Sequence, residues 1–288
     1  MTWPIPLFFN IVFGTIRSFI DKRLVNKIDP FVAFFYATFW SNIFFFSFYL
    51  LRHHSIPIVY PEMLILGALY SFIVGSYMAA IKINLSQTVI FNSYYLVIPL
   101  GLAAIFLGEW QLFDPTIFSG QKTLLGIFLA FVSMGLFLST KSRKEEKIEK
   151  KWLMLILFNI IFNGFATYWG KIFITDHGPL ETLISQSLGG IPVLFIFNKL
   201  RRKSMEISGQ NHLLSFIDGF VIFLAVTFYY LAIKNGPLTV VLPIQTLVGT
   251  IAIALVGLFL FKEKAQITNK KIWGLILGFI GVVLLIIQ

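Results

Sequence analysis

The feature that most constrains this chain is that it is written twice, in segments that are each apolar over the length of a bilayer. Phe9-Asn10-Ile11-Val12-Phe13, followed by Lys22 and Pro30, recurs as Phe158-Asn159-Ile160-Ile161-Phe162, followed by Lys171 and Pro179, at one constant offset. Gly67, Tyr77 and Ala80-Ile81-Lys82 recur at a slightly longer offset as Gly219, Tyr229 and Ala232-Ile233-Lys234. Glu109, after an apolar run, recurs as Glu263. Two related apolar halves must satisfy their backbones within helices and bury their few polar groups against each other.

A helix needs about 20 largely apolar residues to cross the hydrocarbon layer. The polar loops divide the chain into ten such segments, at residues 4–20, 31–51, 62–81, 86–107, 122–139, 152–172, 180–198, 213–233, 239–261 and 271–287. Pro30, Pro61, Pro179 and Pro237 fall at segment ends, where a missing amide hydrogen costs little. Pro99, Pro192 and Pro243 lie inside segments, and Pro99 and Pro243 are the expected kinks. The expected fold is an all-α polytopic membrane protein with ten transmembrane helices in two five-helix repeats. These are residues 1–140 and 152–288, joined by a charged cytoplasmic linker at 141–151. An odd number of crossings per repeat turns the second copy upside down, so the repeats are inverted.

Composition supports the same reading. The chain is 57% hydrophobic and 12% charged, with mean hydropathy +0.84, which excludes an ordinary water-soluble domain. Its 33 Phe residues suit lipid-facing helices better than a wet surface. The net charge of +10 sits in short loops rather than on a soluble basic face, so no nucleic-acid partner is expected. The partners expected are membrane lipids and a small-molecule substrate. Cysteine is absent, His53 and His54 lack ligand spacing, and neither a cofactor nor a metal site is expected. The first apolar run begins at Pro4 without a basic flank and matches the second copy, so it reads as a retained helix rather than a signal peptide. Gly274 and Gly278 form a small-xxx-small pair read as packing within the chain, and nothing specifies an oligomeric state.

Lys and Arg also orient the chain. Of the 23, only Arg52, Lys122, Lys171 and Lys234 fall on one face of the loops, with Arg17 inside the first helix and the rest on the other face. The positive-inside rule then places the linker in the cytoplasm and both termini outside.

The repeated signatures resemble the drug/metabolite transporter superfamily in its ten-helix, EamA-type form. They are Lys22 and Lys171 near the ends of the first helices, the Ala-Ile-Lys turns at 80–82 and 232–234, Leu107-Gly108-Glu109 and Phe261-Lys262-Glu263, and Gly126 and Gly274. The likeness covers essentially the whole chain. It departs in lacking a Trp-Gly pair at the start of the first helix, and Trp169-Gly170 comes late in the second copy. The resemblance implies both termini in the cytoplasm, opposite to the charge count.

Inverted repeats around a midplane site are a transporter's architecture. No phosphate-binding Gly-Lys-Ser/Thr loop is present, so ATP is not a direct energy source. The expected function is a secondary transporter or facilitator of small organic metabolites, with amino acids or related zwitterions favoured. It would work by alternating access in a cell (inner) membrane. Export of amphipathic drugs or dyes is the alternative, and a non-transporting scaffold or an intramembrane enzyme is a distant one. No Ser-His, Glu-Glu or His-rich constellation supports catalysis, so the chain is not expected to be an enzyme.

Polar residues inside apolar helices mark the interior, because lipid does not satisfy them. Asn10, Gly14, Arg17 and Asp21 share a face of the first helix, and Asn159, Asn163, Ala166 and Gly170 share the matching face of the sixth. Arg17 cannot be neutralised, has no counterpart at Ala166, and stands one turn from Asp21. It is read either as half of a structural pair or as the contact for a substrate carboxylate or phosphate. Thr88, Asn92, Tyr95 and Pro99 line the fourth helix, while Thr239, Pro243, Thr246 and Thr250 line the ninth with Gln245 adjacent. The expected substrate-binding set is therefore Asn10, Arg17, Tyr77, Asn92, Tyr94, Tyr95, Asn159, Asn163, Tyr229, Gln245 and Thr246. Asp218 and Glu181 are the proton-coupling candidates, since a carboxyl in a dry setting can exchange a proton near neutral pH. Glu109 and Glu263 read as caps or interfacial anchors.

Overall fold

A computed structural model describes residues 2–138, 150–260 and 269–286. Every regular element among them is helical. The helices are α1 (Pro4–Lys27), α2 (Pro30–His53), α3 (Pro61–Ile83), α4 (Leu85–Asn92), α5 (Val97–Phe106) and α6 (Phe118–Leu138). They continue with α7 (Lys150–His177), α8 (Pro179–Leu200), α9 (Gly209–Asn235), α10 (Leu238–Phe259) and α11 (Asn269–Ile286). Helix occupies each apolar segment read from the sequence. Among the described residues, α2, α3, α8, α9 and almost all of α7 are long and apolar enough to cross a membrane. α1 has the length, but Asn10, Arg17 and Asp21 lower its apolarity. Positions 141–149 of the linker and the Phe261-Lys262-Glu263 signature lie outside the described residues.

Proline starts these helices as its chemistry dictates. Pro4, Pro30, Pro61 and Pro179 occupy first positions, where no amide hydrogen is needed and φ is already helical. Asp29 caps α2 by accepting from the Phe31 amide at 3.0 Å. The fourth segment is broken: α4 and α5 are joined by a 3₁₀ stretch at Ser93–Leu96, and Pro99 follows as the third residue of α5. Pro99 cannot donate to the carbonyl of Tyr95 four residues back, and the chain tightens where that bond is missing. α10 runs continuously through Pro243 and α8 through Pro192, so of the two expected kinks only Pro99 coincides with a break.

The chain packs as two compact units, Met1–Ile83 with Trp169–Asn235, and Asn84–Tyr168 with Gly236–Gln288. Each draws helices from both halves of the sequence. In the first unit α1 lies on α9, α9 on α2, α2 on α8, α8 on α3, and α3 returns to α1. Two glycines permit the close approaches. A Cβ on Gly67 of α3 would overlap the Gln186 backbone of α8, and one on Gly219 of α9 would overlap Trp40 and the Ser41 amide of α2. Gly67 and Gly219 are repeat counterparts, so the third helix of each half packs on the second helix of the other. Trp40, Phe44, Phe45 and Phe48 of α2 interleave with Phe216, Phe220 and Phe223 of α9, with ring centroids 5.1–6.2 Å apart. At the start of α2, Asp29 also receives a bidentate pair from Arg201, both bonds at 3.1 Å.

In the second unit α10 packs against α4, α5, α6 and α11, and α6 lies along α11. Ser133 of α6 donates to the Gly274 carbonyl at 2.7 Å and rests over Gly278, so the Gly274/Gly278 pair serves packing within the chain. Glu109 caps α10, its two carboxylate oxygens accepting from the Leu238 and Thr239 amides at 3.0 and 2.9 Å.

Candidate functional site

The first unit holds a charged centre between α1, α9 and α3. On α1 the polar residues recur every three or four positions and so face one way, toward α9. Asn10 donates to the Ala225 carbonyl of α9 at 3.0 Å, while Phe9 and Phe13 stack on Phe228. The helices run antiparallel, so the face one to three turns further along α1 meets the earlier part of α9. There Arg17 and Asp21 form an ion pair, Nε to Oδ2 at 3.3 Å, with side chains 21% and 3% exposed. Opposite them is Asp218, fully buried, whose carboxyl lies within hydrogen-bonding reach of the Asp21 carboxyl. Neither oxygen of Asp218 meets a donor among the described residues. The hydroxyl of Tyr77 on α3 lies close enough to interact electrostatically with Asp21 and Arg17. Beside the centre, nothing lies within 4 Å of where a Cβ on Gly14 would stand.

α9 begins at Gly209, earlier than the apolar run suggests. Asp218 is therefore about two and a half turns, or roughly 13 Å, along the helix. That depth, with its complete burial, removes it from the aqueous interface. Glu181 is placed differently. It is half-buried in the first turn of α8, under Gly178 and in reach of the Tyr49 hydroxyl, away from the Arg17 centre. Tyr229 is half-buried and packs on Tyr230, whose hydroxyl donates to Gln186 Oε1 at 2.7 Å. Tyr77 and Tyr229 are thus counterparts in sequence with different surroundings.

One pair of counterparts does share its surroundings. Lys22 donates to the Ile81 and Lys82 carbonyls at 2.7 and 3.3 Å, closing the end of α3. Lys171 donates to the Ile233 carbonyl near the end of α9. Each ammonium satisfies carbonyls that a helix C-terminus leaves unpaired and complements its partial negative charge.

The second unit gathers the remaining uncharged candidates. Thr88, Tyr95 and Pro99 are buried and Asn92 half-buried, while Thr239, Pro243, Thr246 and Thr250 are all buried. The two polar faces read from the sequence therefore point inward. Trp152 of α7 donates to Thr88 Oγ1 at 2.9 Å, and Gly164 comes against Ile98 and the Tyr95 carbonyl. Asn159 is buried on the same helix, and Asn163 is half-buried. Thr246 donates to Gln245 Oε1 at 3.3 Å, and Tyr94 is half-buried within the 3₁₀ stretch. Sequence reasoning gave Asp21 only as a partner for Arg17, and missed Gln186 and Trp152. Asp21 carried a usable signal, being one helical turn past an arginine set in an apolar helix. Gln186 and Trp152 are defined by contacts distant in sequence.

No group of three or more His, Cys, Asp or Glu side chains that could hold a metal is found among the described residues. The chemistry on offer is recognition of an anionic or zwitterionic group by a guanidinium, exchange of protons with a pair of carboxyls, and hydrogen bonding to neutral amides and hydroxyls.

Comparison with known proteins identifies the class. Residues 150–287 match the EamA-like transporter family. An uncharacterized protein of Methanocaldococcus jannaschii is 29% identical over 137 residues, which are 47% of this chain and 96% of that protein. A crystal structure of another protein superposes over 99% of this chain and 97% of its own with a TM-score of 0.68, and at 13% identity this shows a shared fold. The second half of the chain thus carries the signature of the EamA-like transporter family, consistent with the drug/metabolite transporter superfamily. With its membrane-length helices, the chain is an integral multi-pass membrane protein of a class that moves small molecules.

Proposed function

We propose that this protein is a secondary transporter or facilitator of small organic metabolites, with amino acids or related zwitterions as the favoured substrates. It would work by alternating access between two inverted five-helix repeats that together cross the membrane ten times. The observation that carries this reading is the Arg17–Asp21–Asp218 centre, because buried charge on a membrane helix is expensive and marks substrate or ion pathways. The guanidinium meets a carboxylate through two parallel hydrogen bonds, and the open space beside Gly14 leaves room for one.

Three observations support the repeat. Lys22 and Lys171 make equivalent bonds to equivalent helix ends. Gly67 and Gly219 make equivalent close approaches. The archaeal relative matches a stretch of this chain no longer than one repeat while using nearly all of its own length, as expected of a unit that was once separate.

The test is a thermal-shift screen of the purified protein in detergent against amino acids, nucleosides, sugars, polyamines and cationic dyes, followed by uptake into proteoliposomes. A ligand that binds the native state raises the melting temperature by mass action. Stabilisation by zwitterionic amino acids that disappears in Arg17→Ala is the expected result. Stabilisation by hydrophobic cations alone would replace metabolite transport with drug or dye export.

A further inference from the structure

The charged centre of the first unit does not balance with the groups as they stand. Arg17 supplies one positive charge, and Asp21 and Asp218 supply two negative charges if both are ionised. The site is buried between α1, α9 and α3, where a net charge costs several kcal/mol. The neighbours do not correct the sum. Lys22, next along α1, directs its ammonium to the Ile81 and Lys82 carbonyls. From α3 the group facing the pair is the Tyr77 hydroxyl, which is neutral. From α2 and α8, which also pack on α9, no charged side chain interacts with either carboxyl among the described residues. Two ionised carboxyls facing each other would also have only acceptors to offer one another. A single proton turns that contact into an O–H···O⁻ bond, which is among the shorter and stronger kinds.

We propose that Asp21 and Asp218 form one proton-binding site that holds a single shared proton beside Arg17, and that this proton is exchanged as an anionic group enters or leaves Arg17. With the site empty of cargo, the guanidinium, one carboxylate and one carboxylic acid sum to zero. When a carboxylate takes the guanidinium, Asp21 loses its counter-ion and one proton enters from water, leaving two carboxylic acids and a neutral site. When the carboxylate departs, that proton returns to water and the Arg17–Asp21 pair re-forms. One anionic group thus moves with one proton. The exchange rests on the transporter reading above; the resting proton does not.

The test is infrared difference spectroscopy of the full-length protein in detergent at neutral pH, following the C=O stretch of protonated carboxyls. The wild type is expected to show one carboxylic acid per molecule. Asp21→Asn and Asp218→Asn are each expected to lose the band, because the remaining carboxylate is then balanced by Arg17. Arg17→Gln is expected to double it. Helicity and a cooperative thermal transition establish that each variant is folded, and either Asp variant suffices if the other is not. Absence of the band from the wild type, or its persistence in either folded Asp variant, overturns the proposal, as does its loss on exchanging potassium for sodium. Uptake of radiolabelled L-alanine into proteoliposomes is measured in parallel. The expected band without uptake would reject zwitterion transport and retain the proton site, whereas uptake without the band would do the reverse.

Discussion

The two compact units differ in what they bury: among the described residues, buried charged side chains lie in the first alone. The first encloses a guanidinium and two carboxyls, with Arg17 and Asp21 paired at 3.3 Å and Asp218 against them. The second encloses neutral groups, with Trp152 on Thr88 and a row of threonines along α10. Neutral polar groups can satisfy each other and hold a bundle together for about 1 kcal/mol each. Buried ions seldom improve stability over apolar packing, so their presence points to a use beyond holding helices together. The difference places the charged centre in the first unit and leaves the second with neutral polar groups alone among its buried polar side chains.

The largest effect that can break this comparison comes from Arg17→Ala. Removing the cation leaves a buried carboxylate without its counter-ion, to be neutralised by a proton drawn from neutral water, and about 3–5 kcal/mol of stability should be lost. Asn92→Ala in the second unit should cost well under that, and thermal unfolding in detergent reads both. Equal losses would mean that charge is not what distinguishes the units.

A second, smaller effect sharpens the repeat within the first unit. Lys22→Met and Lys171→Met each strip a charge-assisted bond from the end of a helix, worth roughly 1.5–3 kcal/mol. Equivalent roles require the two losses, measured by denaturant titration, to agree closely. Below these comes Trp152→Phe, which removes only the bond to Thr88 and should cost about 1 kcal/mol, leaving any response to zwitterions unchanged.

The smallest effect lies in the loop before α6. The Thr116 hydroxyl and amide both donate to Asp114 and hold its carboxyl below the usual range. A carboxyl lowered by folding stabilises most above its unfolded pKa and loses that contribution as pH falls through its folded value. Asp114→Asn should therefore lower the melting temperature slightly at neutral pH and leave it nearly unaltered at strongly acid pH, flattening a slight acid-side slope.

The helices were legible because bilayer-length apolar runs and prolines at helix starts are local signals, and Pro30, Pro61 and Pro179 mark their helices directly. Glu109 was legible as a cap, although the helix it caps, α10, belongs to the other half of the sequence. The break at Ser93–Leu96 was not legible. Ser-Tyr-Tyr-Leu is compatible with an α-helix, and the disturbance comes from a proline several residues later. The pairing of Asp21 with Asp218 was also hidden. Each residue announces itself as a charge in an apolar helix, but their meeting depends on α1 packing on α9, a contact between the ends of the chain that no periodicity encodes. Of the expected site residues, Asn10, Arg17, Tyr77 and Asp218 gather between α1, α9 and α3, Asn92, Tyr94, Tyr95, Asn159, Asn163, Gln245 and Thr246 fall in the second unit, and Tyr229 and Glu181 stand apart.

The composition of the first unit sets the order in which the molecule can be made. Its members are Met1–Ile83 and Trp169–Asn235. A ribosome adding about 5–20 residues per second therefore needs roughly 10–30 s after finishing α3 to deliver the last residue of α9. Throughout that interval the nascent α1 waits in the bilayer with Arg17 and Asp21 already inserted and Asp218 not yet beside them. A chain that stalls before α9 exposes an ionic helix with no place to hide it, the kind of defect by which membrane quality control can recognise an unfinished protein.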